Sequence, residues 1–509
     1  MAKTIFLGKS KNQTTLVFFG PFLLGVIALV GFDAIQADSL ATEGRNLILL
    51  SWAGVFLFIW SFATWYQKRK ELICPNMIFL FCAYIFMYGQ SFLWAFGLEG
   101  VPDLRDIFPA YQIVIAQVFT LLGLGFFHIG MLFSANRISK PIDSAKRNDS
   151  NLRTLYKSIQ IIGWGLLAVS VIPFITIMRN QVILTHLYGY GFLFDSSLVK
   201  TGFSAVGIRI ADFFVLSLFC LFIGYRENRP AMFLILTIIL IRIAAAFYVG
   251  GRSPGMVLVI CIICMWHFFI SRINLKKGLL LIFLSYILIS ILPTISSVRH
   301  EIGRTFQDYV SAITINFGKG GQFINAISEM GFSMFPLIET MNLVPSQYSF
   351  RYGRSYFYSL FSLVPNLGFW QVHPAFQNAN LGDWLQSTLG LKYGPGYSHA
   401  AEAYINFGWG GILAMFALGI FFGKVFTLIN RNNATLKPDK SVFVFVLLSL
   451  TVMITRNSFI STARAVFYYS GAIYVATILL NRYLNQRRRN KLSKHMYYIE
   501  PGCGKKSSR

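Results

Sequence analysis

The sequence predicts an all-α polytopic membrane protein with about twelve transmembrane helices and one large external loop. Three observations carry that expectation. Of 509 residues, 55% are hydrophobic and 13% charged, with a mean hydropathy of +0.57; an ordinary soluble domain has roughly 25% charged residues. The apolar residues gather in runs close to the roughly 20 needed to cross a bilayer. The loops between these runs sort by charge into a basic set and a poorer one. This composition excludes a soluble enzyme, a disordered chain and a secreted disulfide scaffold.

The runs place spans near 16–35, 47–66, 76–97, 108–133, 156–178, 204–224, 231–249, 254–270, 278–296, 402–428, 441–456 and 466–481. Residues 1–296 therefore hold helices one to nine, 297–401 a large loop, 402–481 helices ten to twelve, and 482–509 a basic tail. Lys3, Lys9 and Lys11 precede the first run and no small-residue cleavage site follows it, so it reads as an uncleaved first helix. The tightest hairpin is the seventh and eighth spans, joined through Gly250, Gly251, Arg252 and Ser253.

Net charge is +25. The N-terminus, the alternate loops 67–75, 134–155, 225–230, 271–277 and 429–440, and the C-terminal tail hold about 28 Lys and Arg. The opposite set holds about 13, spread over much more chain. By the positive-inside rule both termini are cytoplasmic and 297–401 faces outward. The basic excess is thus a topology signal, reinforced by a tail (Arg487, Arg488, Arg489, Lys491, Lys494) suited to anionic headgroups. Nucleic acid is not an expected partner; the bilayer is. The six cysteines imply no disulfide framework, and Cys261-x-x-Cys264 lies inside an apolar run without a second pair.

The outward loop is rich in aromatics, among them Tyr348, Phe350, Tyr352, Phe357 and Trp384, punctuated by Pro345, Pro365, Pro374 and Pro395. A long segment of this composition is expected to pack on the bundle, and Phe323, Ile324, Ile327 and Met330 have helical spacing. Its rings suit either an interfacial belt or stacking against sugars.

Outward cations need explaining on a chain whose positive charge lies mostly inside. Arg252 sits in the seventh–eighth turn; Arg299, His300, Glu301 and Arg304 open the loop; Arg351 and Arg354 lie within it; Arg456 and Arg464 flank the last outer turn. The guanidinium fork pairs bidentately with phosphate, so the set suggests a pyrophosphate-bearing lipid; the alternative for each is a local carboxylate or lipid phosphate. Arg209 and Asp212, three apart, are expected to pair, and Arg242 to be structural. His399 and Glu402 are also three apart and share a face if helical. Glu402 is then a partly solvated general-base candidate with His399 as neighbour or substitute, or simply a helix-entry carboxylate. No zinc, P-loop or nucleophile-elbow spacing is present, so no metal or other cofactor is expected.

Several pieces carry a resemblance: Pro75-Asn76 through Phe86-Met87-Tyr88-Gly89-Gln90-Ser91 with Phe96-Gly97, Gly250-Gly251-Arg252, Ser328-Glu329-Met330-Gly331, Arg351-Tyr352-Gly353, Tyr397 through Gly408, and Arg456-Asn457-Ser458-Phe459. In this order over 75–459 the chain resembles the O-antigen polysaccharide polymerase family (Wzy type). The resemblance implies a bacterial inner-membrane, metal-independent glycosyltransferase of multi-span (GT-C-like) fold. Such an enzyme polymerises undecaprenyl-pyrophosphate-linked oligosaccharide repeat units on the periplasmic face, those lipids being both donor and acceptor. A chain-length co-polymerase is an implied possible partner. Arg252, Arg351, Glu402 and Arg456 fall on motif positions; Arg299 and Arg354 join them as outward arginines, and His399 on chemistry alone. An O-antigen ligase shares the arginine logic. A flippase without chemistry predicts shorter external loops, and a metal-dependent lipid-sugar transferase would draw on Asp33, Asp38 and Glu43.

Overall fold

A computed structural model describes residues 11–36, 40–135, 149–194, 203–299, 301–317, 321–364, 366, 370–392 and 394–499. His300, Asp38 and Pro365 lie outside these. The described residues are helical, without strand. In order the helices are α1 (Lys11–Gln36), α2 (Leu40–Arg69), α3 (Pro75–Ala95), α4 (Ala110–Ser134), α5 (Asp149–Tyr188), α6 (Phe203–Gly224), α7 (Arg229–Val249), α8 (Arg252–Phe269) and α9 (Leu275–Val298). The large loop contributes α10 (Phe306–Phe317), α11 (Gln322–Gly331), α12 (Phe335–Leu343), α13 (Arg354–Ser359), α14 (Pro374–Ala379) and α15 (Leu381–Leu389). Then follow α16 (His399–Phe407), α17 (Gly411–Phe426), α18 (Pro438–Thr451), α19 (Ile460–Arg464), a π-helical segment (Ala465–Gly471) and α20 (Ala472–Ile499). Among the described residues eleven helices are long and apolar enough to cross a membrane, with α16–α17 counted as one span; the apolar part of α1, Phe18–Asp33, is shorter. The chain is a polytopic all-α membrane protein.

Local sequence sets the ends of these helices. Asn228 caps α7 by accepting from Ala231 N–H, and Pro230 sits where a missing N–H costs nothing. Gly250, at φ +99°, ends α7 in the left-handed region and turns the chain directly into α8. Ser398 caps α16 through Ala401 N–H at 3.1 Å, so α16 begins where the large loop returns to the bundle.

Packing inside the bundle uses small residues and polar links, as it must where lipid supplies no hydrophobic drive between helices. A Cβ on Gly419 would lie 2.0 Å from Phe127 O, and one on Gly130 2.3 Å from Phe416 O, so α4 and α17 cross at backbone contact. Gln117 on α4 donates to Ser51 on α2 and Ser91 on α3, at 3.1 and 2.9 Å.

The same device docks the large loop. Gly331 on α11 meets the α3 backbone at Gly89–Gln90, where a Cβ would stand 2.3 Å from Gln90 N. Gln90 Nε2 donates to Pro102 O (2.7 Å) and Ser328 O (3.0 Å), while its Oε1 accepts from Leu104 N–H (2.9 Å). The loop segment is therefore a set of short helices laid on one end of the bundle. Cys261 and Cys264 are buried, free thiols within α8.

Candidate functional site

The turn between α7 and α8 puts Arg252 at the first position of α8. Its guanidinium forks onto Glu329 of α11: Nη1 donates to Oε2 at 2.5 Å and Nη2 to Oε1. The pair is largely enclosed, with side-chain exposures of 13% and 26%. Gly89, Gln90 and Gly331 fix α11 against α3, so the contacts described above are what bring Glu329 to Arg252.

Arg299 follows α9 and lies over the Tyr190 ring at 4.6 Å. Arg456 follows α18 and lines the same space as Arg252 and Glu329. Its guanidinium has no hydrogen-bond partner among the described residues. Burial pulls the pKa of Arg299 and of Arg456 below the usual arginine value, and repulsion from Arg252 adds to it; Glu329 and Tyr190 work in the opposite sense. Burial alone would raise the Glu329 carboxyl, but the bonds and charge of Arg252, with Arg299 and Arg456 behind it, hold it below the usual range. Three guanidinium groups thus act on one carboxylate, Glu329, in a poorly solvated place.

Directly against this cluster lies an apolar crevice of about 110 Å³ between α3, α8, α9 and α11. Phe81, Ile85, Phe86, Val257, Ile289 and Met330 line it, and Arg252, Glu329 and Arg456 close its polar end. The arrangement can take an anionic head with an apolar tail.

A second group stands beside the first, around α16. Arg351-Tyr352-Gly353 forms a turn with φ +46° at Tyr352 and +85° at Gly353. The Arg351 and Tyr352 N–H groups donate to Ile405 O and Asn406 O at 2.9 Å each, tying the turn to the end of α16. Arg351 lies 5.0 Å over the Trp384 ring and donates to Asn378 O at 3.0 Å. Burial lowers its pKa; Tyr397 and Glu402 oppose that. Arg354 reaches the side chain of the same Asn378 at 3.4 Å. Arg351 and Arg354 therefore converge on Asn378, apart from the Arg252–Arg299–Arg456 cluster. The two groups join through the chain, because Tyr397 N–H donates to Arg456 O at 2.9 Å.

Glu402 corrects one expectation. It is completely buried, not partly solvated. Ser355 Oγ donates to Oε1 and Phe459 N–H to Oε2, both at 2.5 Å. Asn406 Nδ2 completes the knot, donating to Ser355 Oγ and to Glu402 O. The reason is that α13 folds back over α16 and covers the carboxylate. His399, one turn earlier, does not join it. Its Nδ1 donates to Ile454 O at 3.3 Å, its ring sits 6.1 Å from both Phe79 and Phe127, and Nε2 is buried without a partner among the described residues.

Other singled-out residues are structural. Arg304 is 2% exposed and binds four backbone carbonyls, those of Thr185, Tyr248, Val249 and Arg299. Arg209 and Asp212 pair at 3.5 Å, as their spacing implies. Arg242 lies over the Phe174 ring at 5.3 Å. Glu329, Ser355 and Tyr190 stand at the site without being candidates on sequence. Glu329 alone had a signal, being a carboxylate inside a recognised motif on an acid-poor chain.

No curated protein and no solved structure matches the chain. The family model for O-antigen polysaccharide polymerase Wzy matches residues 15–488, a stretch that takes in both arginine groups and every helix of the large loop. The chain belongs to the O-antigen polysaccharide polymerase Wzy family.

Proposed function

We propose that the protein joins undecaprenyl-pyrophosphate-linked oligosaccharide repeat units on the periplasmic face, without a metal ion. The observation that carries this reading is the pair of arginines, Arg252 and Arg456, that close an apolar crevice together with one carboxylate, Glu329, with Arg299 in electrostatic reach of all three. Arginine forks match phosphate oxygens. A crevice of apolar side chains beneath them suits the first isoprene units of the carrier.

The chemistry asks little more of the chain. The bond between the donor's anomeric carbon and the phosphate oxygen breaks, and its electron pair leaves on pyrophosphate. The acceptor's hydroxyl oxygen forms the new glycosidic bond, and its proton passes to the released pyrophosphate or to water. Preorganised guanidinium groups stabilise the charge that develops on the leaving group. Arg351 and Arg354, with Trp384 and the neighbouring tyrosines, supply a polar and aromatic surface for the glycan. Glu402 acts as a positioning residue: with both oxygens engaged it holds α13 and the 456–459 turn together, and so sets Arg351 and Arg456 in register.

The lipopolysaccharide of a strain lacking the gene tests the reading. A single repeat unit on core, restored to a ladder by the wild-type chain but not by one carrying Arg252→Lys, Arg299→Lys and Arg456→Lys, is expected. Core without any repeat unit would point to a ligase or a flippase, and an unchanged ladder would remove the proposal.

A further inference from the structure

The opposite end of the bundle carries a cavity of about 580 Å³ that the reaction above does not use. It lies where the end of α2, the link between α8 and α9, and the connection from α17 to α18 meet. Fifteen residues of α8 separate Arg252 from His267, about 22 Å at helical rise, so the cavity is most of a bilayer core away from the arginine triad. We infer that it is a binding site for the phosphate-bearing headgroup of an anionic phospholipid.

Charge and shape both point that way. Arg69, Lys70, Arg272 and Arg431 line the cavity, against one carboxylate, Glu71. Glu71 offsets at most one of the charges of Lys70, Arg272 and Arg431, and burial pushes its pKa up to about 7 although Arg69, Arg431 and Arg272 pull it down. Its Oε1 is buried without a hydrogen-bond partner among the described residues, 3.8 Å from His267 Nε2.

The walls are preformed. Arg431 Nε donates to His267 O at 3.1 Å, and Ile273 N–H donates to His267 Nδ1 at 3.2 Å. Asn430 and Asn433 cap each other's N–H groups at 2.8 and 2.9 Å. Leu72, Ile73, Ile273 and Leu275 line the remainder. A cationic cradle continuous with aliphatic side chains suits an amphiphile better than a free ion, because it can take the phosphate and the first carbons of the chains together. Basic pockets between transmembrane helices recognise lipid headgroups in this way.

The test uses the full-length protein in mild detergent with phosphatidylglycerol or phosphatidylcholine, bound lipid being counted by native mass spectrometry. Lys70→Ala with Arg272→Ala removes two exposed cations without touching the helix core. The wild type is expected to retain phosphatidylglycerol roughly tenfold better than phosphatidylcholine, and the double variant to lose that preference. Phosphatidylglycerol should also raise the melting temperature of the wild type and not of the variant. Displacement of the lipid by inorganic phosphate would support the phosphate cradle and name the free ion as a competent ligand. Equal retention of phosphatidylglycerol by wild type and variant would overturn the proposal.

Discussion

Substituting Glu402 by glutamine separates a positioning role from a catalytic one. The carboxylate accepts two short hydrogen bonds from groups on different segments, Ser355 Oγ and Phe459 N–H. Hydrogen bonds to a charged group are worth about 1.5–3 kcal/mol each. The amide keeps one acceptor oxygen but turns an NH₂ toward the other donor, so about 2–3 kcal/mol of stability should be lost. The purified protein should melt earlier, and turnover of lipid-linked repeat units should fall with it, because Arg351 and Arg456 lose their common anchor. Ser355→Ala removes one of the same bonds and should reproduce both effects at roughly half size. The pH–rate profile supplies the discriminating readout. A positioning residue leaves the acid limb of the wild-type profile in place, whereas loss of a general base abolishes it. A Glu402→Gln enzyme that melts like the wild type, turns over poorly and lacks the acid limb would refute the positioning argument.

The remaining expectations concern charge. Arg456→Lys should leave the melting temperature nearly unchanged, since the guanidinium has no partner among the described residues to lose, yet abolish the polymer ladder through loss of fork geometry. Glu329→Ala should destabilise by about 3 kcal/mol, because it strands Arg252 in a poorly solvated place; adding Arg252→Met should recover most of that stability without recovering polymerisation. Glu71 gives a pH dependence: its folded pKa of about 7 lies above the unfolded value of 4.5, so the folded state binds more protons between these values and stability falls as pH rises through that window. The cost saturates above pH 7, so Glu71→Gln should melt like the wild type near pH 4 and later than it near pH 8. Cysteines placed at exposed positions of α10 or α15 should react with impermeant reagents from the periplasm; labelling only from the cytoplasm would invert the assignment of sides.

The sequence made the transmembrane scaffold legible because each span repeats the same physical requirement, about 20 apolar residues, many times over. The helical spacing of Phe323, Ile324, Ile327 and Met330 likewise marked α11. The loop's other short helices were not legible. Helices such as α13, α14 and α15 are too short to be stable alone, and they exist because tertiary contacts hold them. The same reason hid the partner of Arg252. The chain separates Arg252 from Glu329 by 77 residues, and nothing in either local pattern announces the pairing. Arg304 misled in the other direction, since an outward arginine looks equally suited to an anionic ligand and to four backbone carbonyls. The sequence places Glu402 at a helix entry but does not reveal its burial, because α13 covers it only after the loop folds.

The motif pieces that carry the family resemblance therefore do different physical work. Gly89, Gln90, Ser328 and Gly331 are packing residues: they let α11 touch α3 at backbone distance and satisfy the polar groups that such contact buries. Their effect on the site is indirect, since moving α11 outward by a methyl group would carry Glu329 away from Arg252. Arg351, Tyr352, Gly353 and Glu402 stitch the loop to α16, and the 456–459 turn joins that stitch to the arginine triad. A substitution such as Gly331→Ala, which adds no charge and touches no arginine, should then weaken polymerisation by disturbing the Arg252–Glu329 pair. The clash it creates, 2.3 Å from Gln90 N, can be relieved only by moving backbone. Wild-type polymer from Gly331→Ala would show that the position of α11 does not govern the triad, and would confine the site to the arginines alone.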